Sequence, residues 1–144
     1  MRPSLIIPRL REMCPIFEGR VAGAAEYPAA VDDSGGMKVP HAFVIPLGDS
    51  ATGEVQISAL DIELEVPFAV AVCVSNLADE RGQAGVEAVW DIRAQLLRAL
   101  VGWQPAEGMG TILYRGMPDN PALTRSRMWM QFDFHALEYT ASAA

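Results

Sequence analysis

The twelve residues Leu64–Ser75, LEVPFAVAVCVS, constrain the fold more than any other stretch. Their even positions are Leu64, Val66, Phe68, Val70, Val72 and Val74, and their odd positions are Glu65, Pro67, Ala69, Ala71, Cys73 and Ser75. Period-two alternation assigns every large apolar group to one face of a β-strand. That face must be buried against another layer. The opposite face is small rather than charged beyond Pro67, so a helix or another subunit can lie close against it.

A second alternation runs from Arg125 to Thr140, RSRMWMQFDFHALEYT. Met128, Met130, Phe132, Phe134 and Ala136 face one way, and Trp129, Gln131, Asp133, His135 and Leu137 face the other. This predicts a long antiparallel-type strand with one buried face. Between the two lies the best helical pattern, Ala84 to Val101, in which Val86, Val89, Trp90, Ile92, Leu96, Leu97, Leu100 and Val101 form a broad apolar surface. A shorter helix is expected near 4–13, interrupted at Pro8 and ended by Pro15. Shorter strands are expected at 17–22, 41–47 and 111–116, with Pro46 at an edge or bulge. The polar stretches 26–40, 48–58 and 104–124 read as connections that reach outward, apart from the strand within the last. The order lacks regular β-α alternation, which argues against a doubly wound parallel sheet. The expected fold is α+β: one domain over 1–144, a mostly antiparallel β-sheet with two main helices packed on one face, and a frayed tail at 140–144.

With 144 residues the chain can bury a core without a disulfide or metal staple. Its longest apolar runs are too short to cross a bilayer, and no signal peptide is read at the N-terminus. Cys14 and Cys73 lie far apart and match no metal-ligand spacing, which fits reduced thiols in a cytoplasmic folding environment. The formal net charge of −7 argues against a broad basic face for nucleic acid.

Little in the chain points to catalysis. His41 and His135 stand alone, and there is no nucleophile-elbow serine and no Gly-rich phosphate loop. The acids Asp61, Glu63 and Glu65 share a strand face. A solvated face is the plainer reading, and a divalent-metal or general-acid pair is the sharper one. Arg125 and Arg127 also share a face, with Arg115 on the preceding segment. If the two segments form a hairpin, the three guanidinium groups cluster as an interface patch for a neighbour's acids; the plainer alternative is a solvated strand end. No catalytic, metal or cofactor-binding residue is assigned. The stretch LLRALVGWQP makes a structural prediction instead. Gly102 takes the left-handed position after the last helical turn, Trp103 folds back near Leu97 or Arg98 as an apolar lock, and Pro105 prevents the helix from resuming.

The segment FAVAVCVSNLADERGQAGVEAVWDIRAQLLRALVGWQP resembles the tail terminator proteins of long-tailed bacteriophages and prophages. The resemblance rests on a strand, then Asn76, Asp79 and Gly82 in an Asn-x-x-Asp-x-x-Gly connection, then a helix ending in Leu100, Gly102, Trp103 and Pro105. RVAGAAEYPAA and PHAFVIPLGD before it, and ILYRGM and RMWMQFDF after it, extend the likeness over most of residues 4–139. It implies a non-enzymatic virion protein of the tail, assembled in the host cytoplasm. It also implies a homohexameric ring that caps the tail tube, stops its polymerisation and joins it to the head connector, with DNA passing through the lumen without specific binding. In such a ring Asp61, Glu63 and Glu65 are candidates to meet Arg115, Arg125 and Arg127 of a neighbour. The alternatives are a head–tail connector or neck-completion protein, and a small enzyme using Asp61, Glu63 or His135 in a concave pocket.

Overall fold

A computed structural model describes residues 1–32, 37–51, 61–75, 83–118, 122–123 and 127–141. The first helix, α1 (Pro3–Met13), starts with proline at a position whose N–H has no helical partner in any case. Pro8 sits inside it and removes one i→i−4 hydrogen bond, on the side where Ser4 and Pro8 are both exposed. A 3-10 turn follows at Pro15–Phe17, and the first strand, β1, is only Val21–Gly23. The strand expected over 17–22 is therefore displaced, because Pro15 sets a turn that Glu18 and Gly19 extend with positive φ.

The stretch expected to be a connection after residue 26 instead begins with helix: a 3-10 turn at Ala24–Glu26 continues into α2 (Tyr27–Asp32). Then come β2 (His41–Pro46), β3 (Ser50–Ala51) and β4 (Asp61–Ser75). Helix α3 (Gln83–Leu100), β5 (Leu113–Gly116), β6 (Ala122–Leu123) and β7 (Arg127–Ala141) complete the order. Among the described residues these strands form one sheet with the order β1-β2-β4-β7-β5, β3 pairing with β4 and β6 with β7. Only β1–β2 is parallel. The fold is α+β with a mostly antiparallel sheet, as the alternation predicts.

The spine is the β4–β7 pair, in register from Asp61↔Ala141 to Ser75↔Arg127. Even residues of both strands share the core face, so Phe68 lies opposite Phe134 and Val70 opposite Phe132. Their rings stack, with Phe68 and Phe134 centroids 5.5 Å apart. Ile6 and Leu10 of α1 and Val89, Ile92, Leu96, Ala99 and Leu100 of α3 close this core.

Pro46 illustrates how the edge expectation is met. Odd residues of β2 direct their N–H groups toward β4, as Leu47 does to the Pro67 carbonyl, and even residues direct theirs toward β1, as Ala42 does to Arg20. β1 ends at Gly23, opposite Val44. The missing N–H of Pro46 thus costs no ladder bond.

The odd face is split. Phe43, Ala71, Cys73 and Trp129 form a second buried cluster, with Tyr27, Ala30, Met37 and Ile45 packed against it. The small side chains of β4 make room for this layer. Tyr27 meets Phe43 and Trp129 at ring separations of 5.7 and 5.6 Å. So α1 and α3 cover one face, while α2 covers the upper half of the other. Trp129, which alternation directs away from the main core face, is 9% exposed for that reason.

The Gly-Trp stop of α3 is built from tertiary contacts. Gly102 has φ +82°, where glycine carries no Cβ penalty. Its N–H donates to Ile112, not back to the helix, and Ile112 donates to Trp103 at 2.9 Å. Trp103 is half-buried, and its nearest charged partner is Arg9 rather than Arg98. The Arg9 Cζ lies 4.8 Å from the ring centroid, and its Nε donates to the Ala99 carbonyl at 2.9 Å. A cation on the last carbonyls of a helix complements its dipole. Because the ring is only half-buried, Trp103→Ala will cost about 2 kcal/mol rather than the 3–5 of a fully buried tryptophan. Urea denaturation giving a loss above about 4 kcal/mol would contradict this placement.

Candidate assembly interface

The residues singled out by sequence divide into separate locations. Glu63 and Glu65 lie on the odd face of β4, near the end away from α2, opposite Tyr139 and Leu137. Asp61 is opposite Ala141 in the backbone register, and its side chain lies outside the described set. Arg115 sits at an irregularity in β5, where Tyr114 pairs with Phe134 and Gly116 with Asp133. Its guanidinium reaches across β7 to Glu65, Nη1 to Oε1 at 2.6 Å. Arg127 lies at the other end of the spine, opposite Ser75, roughly 30 Å along β4 from Glu65. Its Nη2 donates to the Met37 carbonyl at 2.9 Å. Arg125 is outside the described residues.

The expected arginine cluster therefore does not form between Arg115 and Arg127. Their segments do pair with each other, β5 against β7, but Arg115 lies beside Phe134 and Asp133, well along β7 from Arg127. Arg115 is engaged with Glu65 of its own chain. With side chains 29% and 47% exposed, the Glu65–Arg115 pair contributes about 0.5 kcal/mol.

The surface around this pair is apolar as well as acidic. Leu47, Leu113 and Tyr139 are 37%, 50% and 54% exposed. A groove of about 410 Å³ crosses the face between Leu47 and Pro67 on one side and Met117 and Pro118 on the other, with Asp133 and Arg115 also lining it. Gln131 donates to the Asp133 carboxylate at 2.8 Å. His135 sits on the same face opposite Pro67, its Nδ1 buried without a hydrogen-bond partner. Among the described residues no three His, Cys, Asp or Glu side chains are grouped to hold a metal ion. The groove gathers Asp133 but neither Glu63 nor His135, so the pocket that a carboxylate–histidine enzyme requires is not assembled there.

Two exposed apolar side chains escaped the sequence reading. Trp90 and Val101, read as part of the core surface of α3, are 55% and 43% exposed. An eight-residue apolar set spans a wider arc than the sheet can cover. Arg93 lies over the Trp90 ring at 5.0 Å and near Tyr114 at 6.0 Å, tying the helix flank to β5. The breadth of the apolar arc was the available signal.

The thiols offer no chemistry. Burial pushes Cys14 up to about 11, opposed only partly by Arg9 and Arg98, and burial does the same to Cys73, opposed by Arg127. At pH 8 roughly one thiol in a thousand is then ionised. Native protein will leave a thiol-specific disulfide reagent unreacted over minutes, and urea will release both thiols; rapid native labelling would contradict their burial.

The phage tail terminator protein model matches residues 1–141. The chain belongs to that family. It is a structural component of a phage tail. No curated protein matches the chain. Among the described residues no helix is long and apolar enough to cross a membrane. Of the connection motif, Asn76, Asp79 and Gly82 lie outside the described residues, whereas Leu100, Gly102, Trp103 and Pro105 form the helix stop described above.

Proposed function

We propose that the chain is the subunit of a ring, a homohexamer in the tail, that caps the tail tube, stops its polymerisation and presents a surface to the head connector. Its role is non-enzymatic, and the subunits assemble in the host cytoplasm. The observation that carries this reading is the tail terminator match over 1–141. Charge supports it: at a formal −7, a lumen of such subunits lets DNA slide without binding it specifically. The exposed apolar surfaces on α3 and on the open sheet face support it too, since patches of that kind mark protein contacts.

The test is a phage that lacks this chain. Electron microscopy of its tails will show overlong tubes. Tubes of normal length would overturn termination, and normal tubes that fail to join heads would favour a connector or neck-completion role instead.

A further inference from the structure

The two edges of the sheet differ. Even residues of β2 direct their main-chain groups toward β1, so Ala42 donates to Arg20, and Val21 between these contacts turns its own N–H and C=O outward. Both groups are occupied. The Val21 N–H donates to the Gly19 carbonyl at 2.9 Å, and the Val21 carbonyl accepts from Arg11 Nη2 at 2.8 Å. A turn and an arginine thus close this edge to another strand.

The β5 edge is closed only in part. The Leu47 N–H donates to the Pro67 carbonyl, so Pro67 faces β2, and its partner His135 turns its main-chain groups away from β4 and toward Leu113. The next residue, Tyr114, then points its N–H and C=O out of the edge. Ile112, two residues back, agrees with this direction: it accepts from Gly102 and donates to Trp103, both outside the ladder with β7. The Tyr114 main chain has no such partner among the described residues. Arg93 lies 6.0 Å from the Tyr114 ring on the α3 side, and Leu113 on the other side is 50% exposed.

We infer that the Tyr114 edge takes an extended segment of the tail tube protein as an added strand. The chemistry there selects an extended backbone, because an N–H and a C=O at a sheet margin are met together by the C=O and N–H of a strand. The guest residue opposite Tyr114 lies on the α3 side beside Arg93, and its neighbours lie on the Leu113 side. A second copy cannot supply the strand by continuing the sheet head to tail, because it would have to offer β1, which is closed at Val21. The same asymmetry fits termination. A subunit that propagates an array of strands must accept one strand and offer another. This sheet accepts one at β5 and offers none at β1. The inference rests on the capping role proposed above and specifies its contact.

Hydrogen exchange resolved to single amides by mass spectrometry tests it, on the full chain with and without assembled tail tube protein. Alone, the Tyr114 amide is expected to exchange freely, while that of Phe134, held in the β4–β7 ladder, stays protected. With tubes, Tyr114 exchange is expected to slow about tenfold or more, and that of Val21, already bonded, to stay unchanged. Tyr114→Pro removes the edge donor without removing a bond to β7, and is expected to weaken cosedimentation with tubes about tenfold. The wild-type exchange decides the matter even if this variant is unstable. A chain that cosediments with tubes while Tyr114 exchange is unchanged would overturn strand addition and leave capping standing, as would a folded Tyr114→Pro variant that binds like the wild type. A Tyr114 amide protected in the chain alone, with a dimer in analytical ultracentrifugation, would give the edge to a second copy and overturn the tube contact. A chain that never cosediments with tubes would remove capping and this contact together.

Discussion

Replacing Phe134 by alanine will lower the free energy of unfolding by about 3–5 kcal/mol. Phe134 is fully buried at the centre of the spine, stacked on Phe68 and 5.2 Å from the Tyr114 ring. Removing its ring deletes the transfer free energy of a large side chain and leaves a cavity that three packed elements, β4, β5 and β7, can fill only in part. A domain of this size is stable by about 5–15 kcal/mol, so the variant should sit near the edge of folding at 37 °C. Urea denaturation monitored by circular dichroism measures the change. A loss below about 1.5 kcal/mol would mean that the β4–β7 core relaxes around the deletion.

Trp129→Ala will cost about 3 kcal/mol, with a different spatial signature. Trp129 belongs to the smaller cluster on the odd face, together with Phe43, Ala71 and Cys73. The six-residue α2 has too few turns to be stable alone, and its hold on the sheet is Tyr27 and Ala30 packing on that cluster. Hydrogen exchange should therefore quicken first in 27–32, while the amides of β4 and β7 stay protected by the larger core. Equal protection of 27–32 in variant and wild type would show that α2 is held by something other than this cluster.

The two variants separate a global core from a local one, and that division has a functional consequence. The larger core fixes the positions of α3, β4 and β7. The smaller core decides how much of the odd face remains open. Where α2 packs, the face is closed; beyond it, Leu47, Leu113 and Tyr139 stay at the surface.

Much of the fold was legible because alternation is a direct consequence of strand geometry. Residues 64–75 and 125–140 each place large apolar groups two apart, and one register brings both sets onto the same face. Two longer-range features were not legible. The 15-residue spine separates Arg127 from Glu65 by most of its length, a fact of register that spacing within either segment does not contain. The pairing of Arg115 with Glu65 crosses an intervening strand, so fifty residues of chain hide it. The short helix α2 was missed because its sequence, YPAAVD, has neither the length nor the apolar stripe to announce itself; it is helical because Tyr27 and Ala30 find a partner across the sheet. Arg9 gave no signal at all, since the helix end that it caps is ninety residues away.

The sequence by itself determined the class of fold, the two long strands and their buried faces, the main helix and its glycine stop, and the absence of a familiar catalytic motif. These follow from side-chain period and backbone conformational limits, which act within a few residues. Tertiary structure alone decided which half of the odd face is covered, which arginine is tied to which acid, and that Trp90 and Val101 lie outside the core. Those outcomes depend on strand register and on how wide an arc of helix one sheet can bury, and both are settled only when distant segments pack.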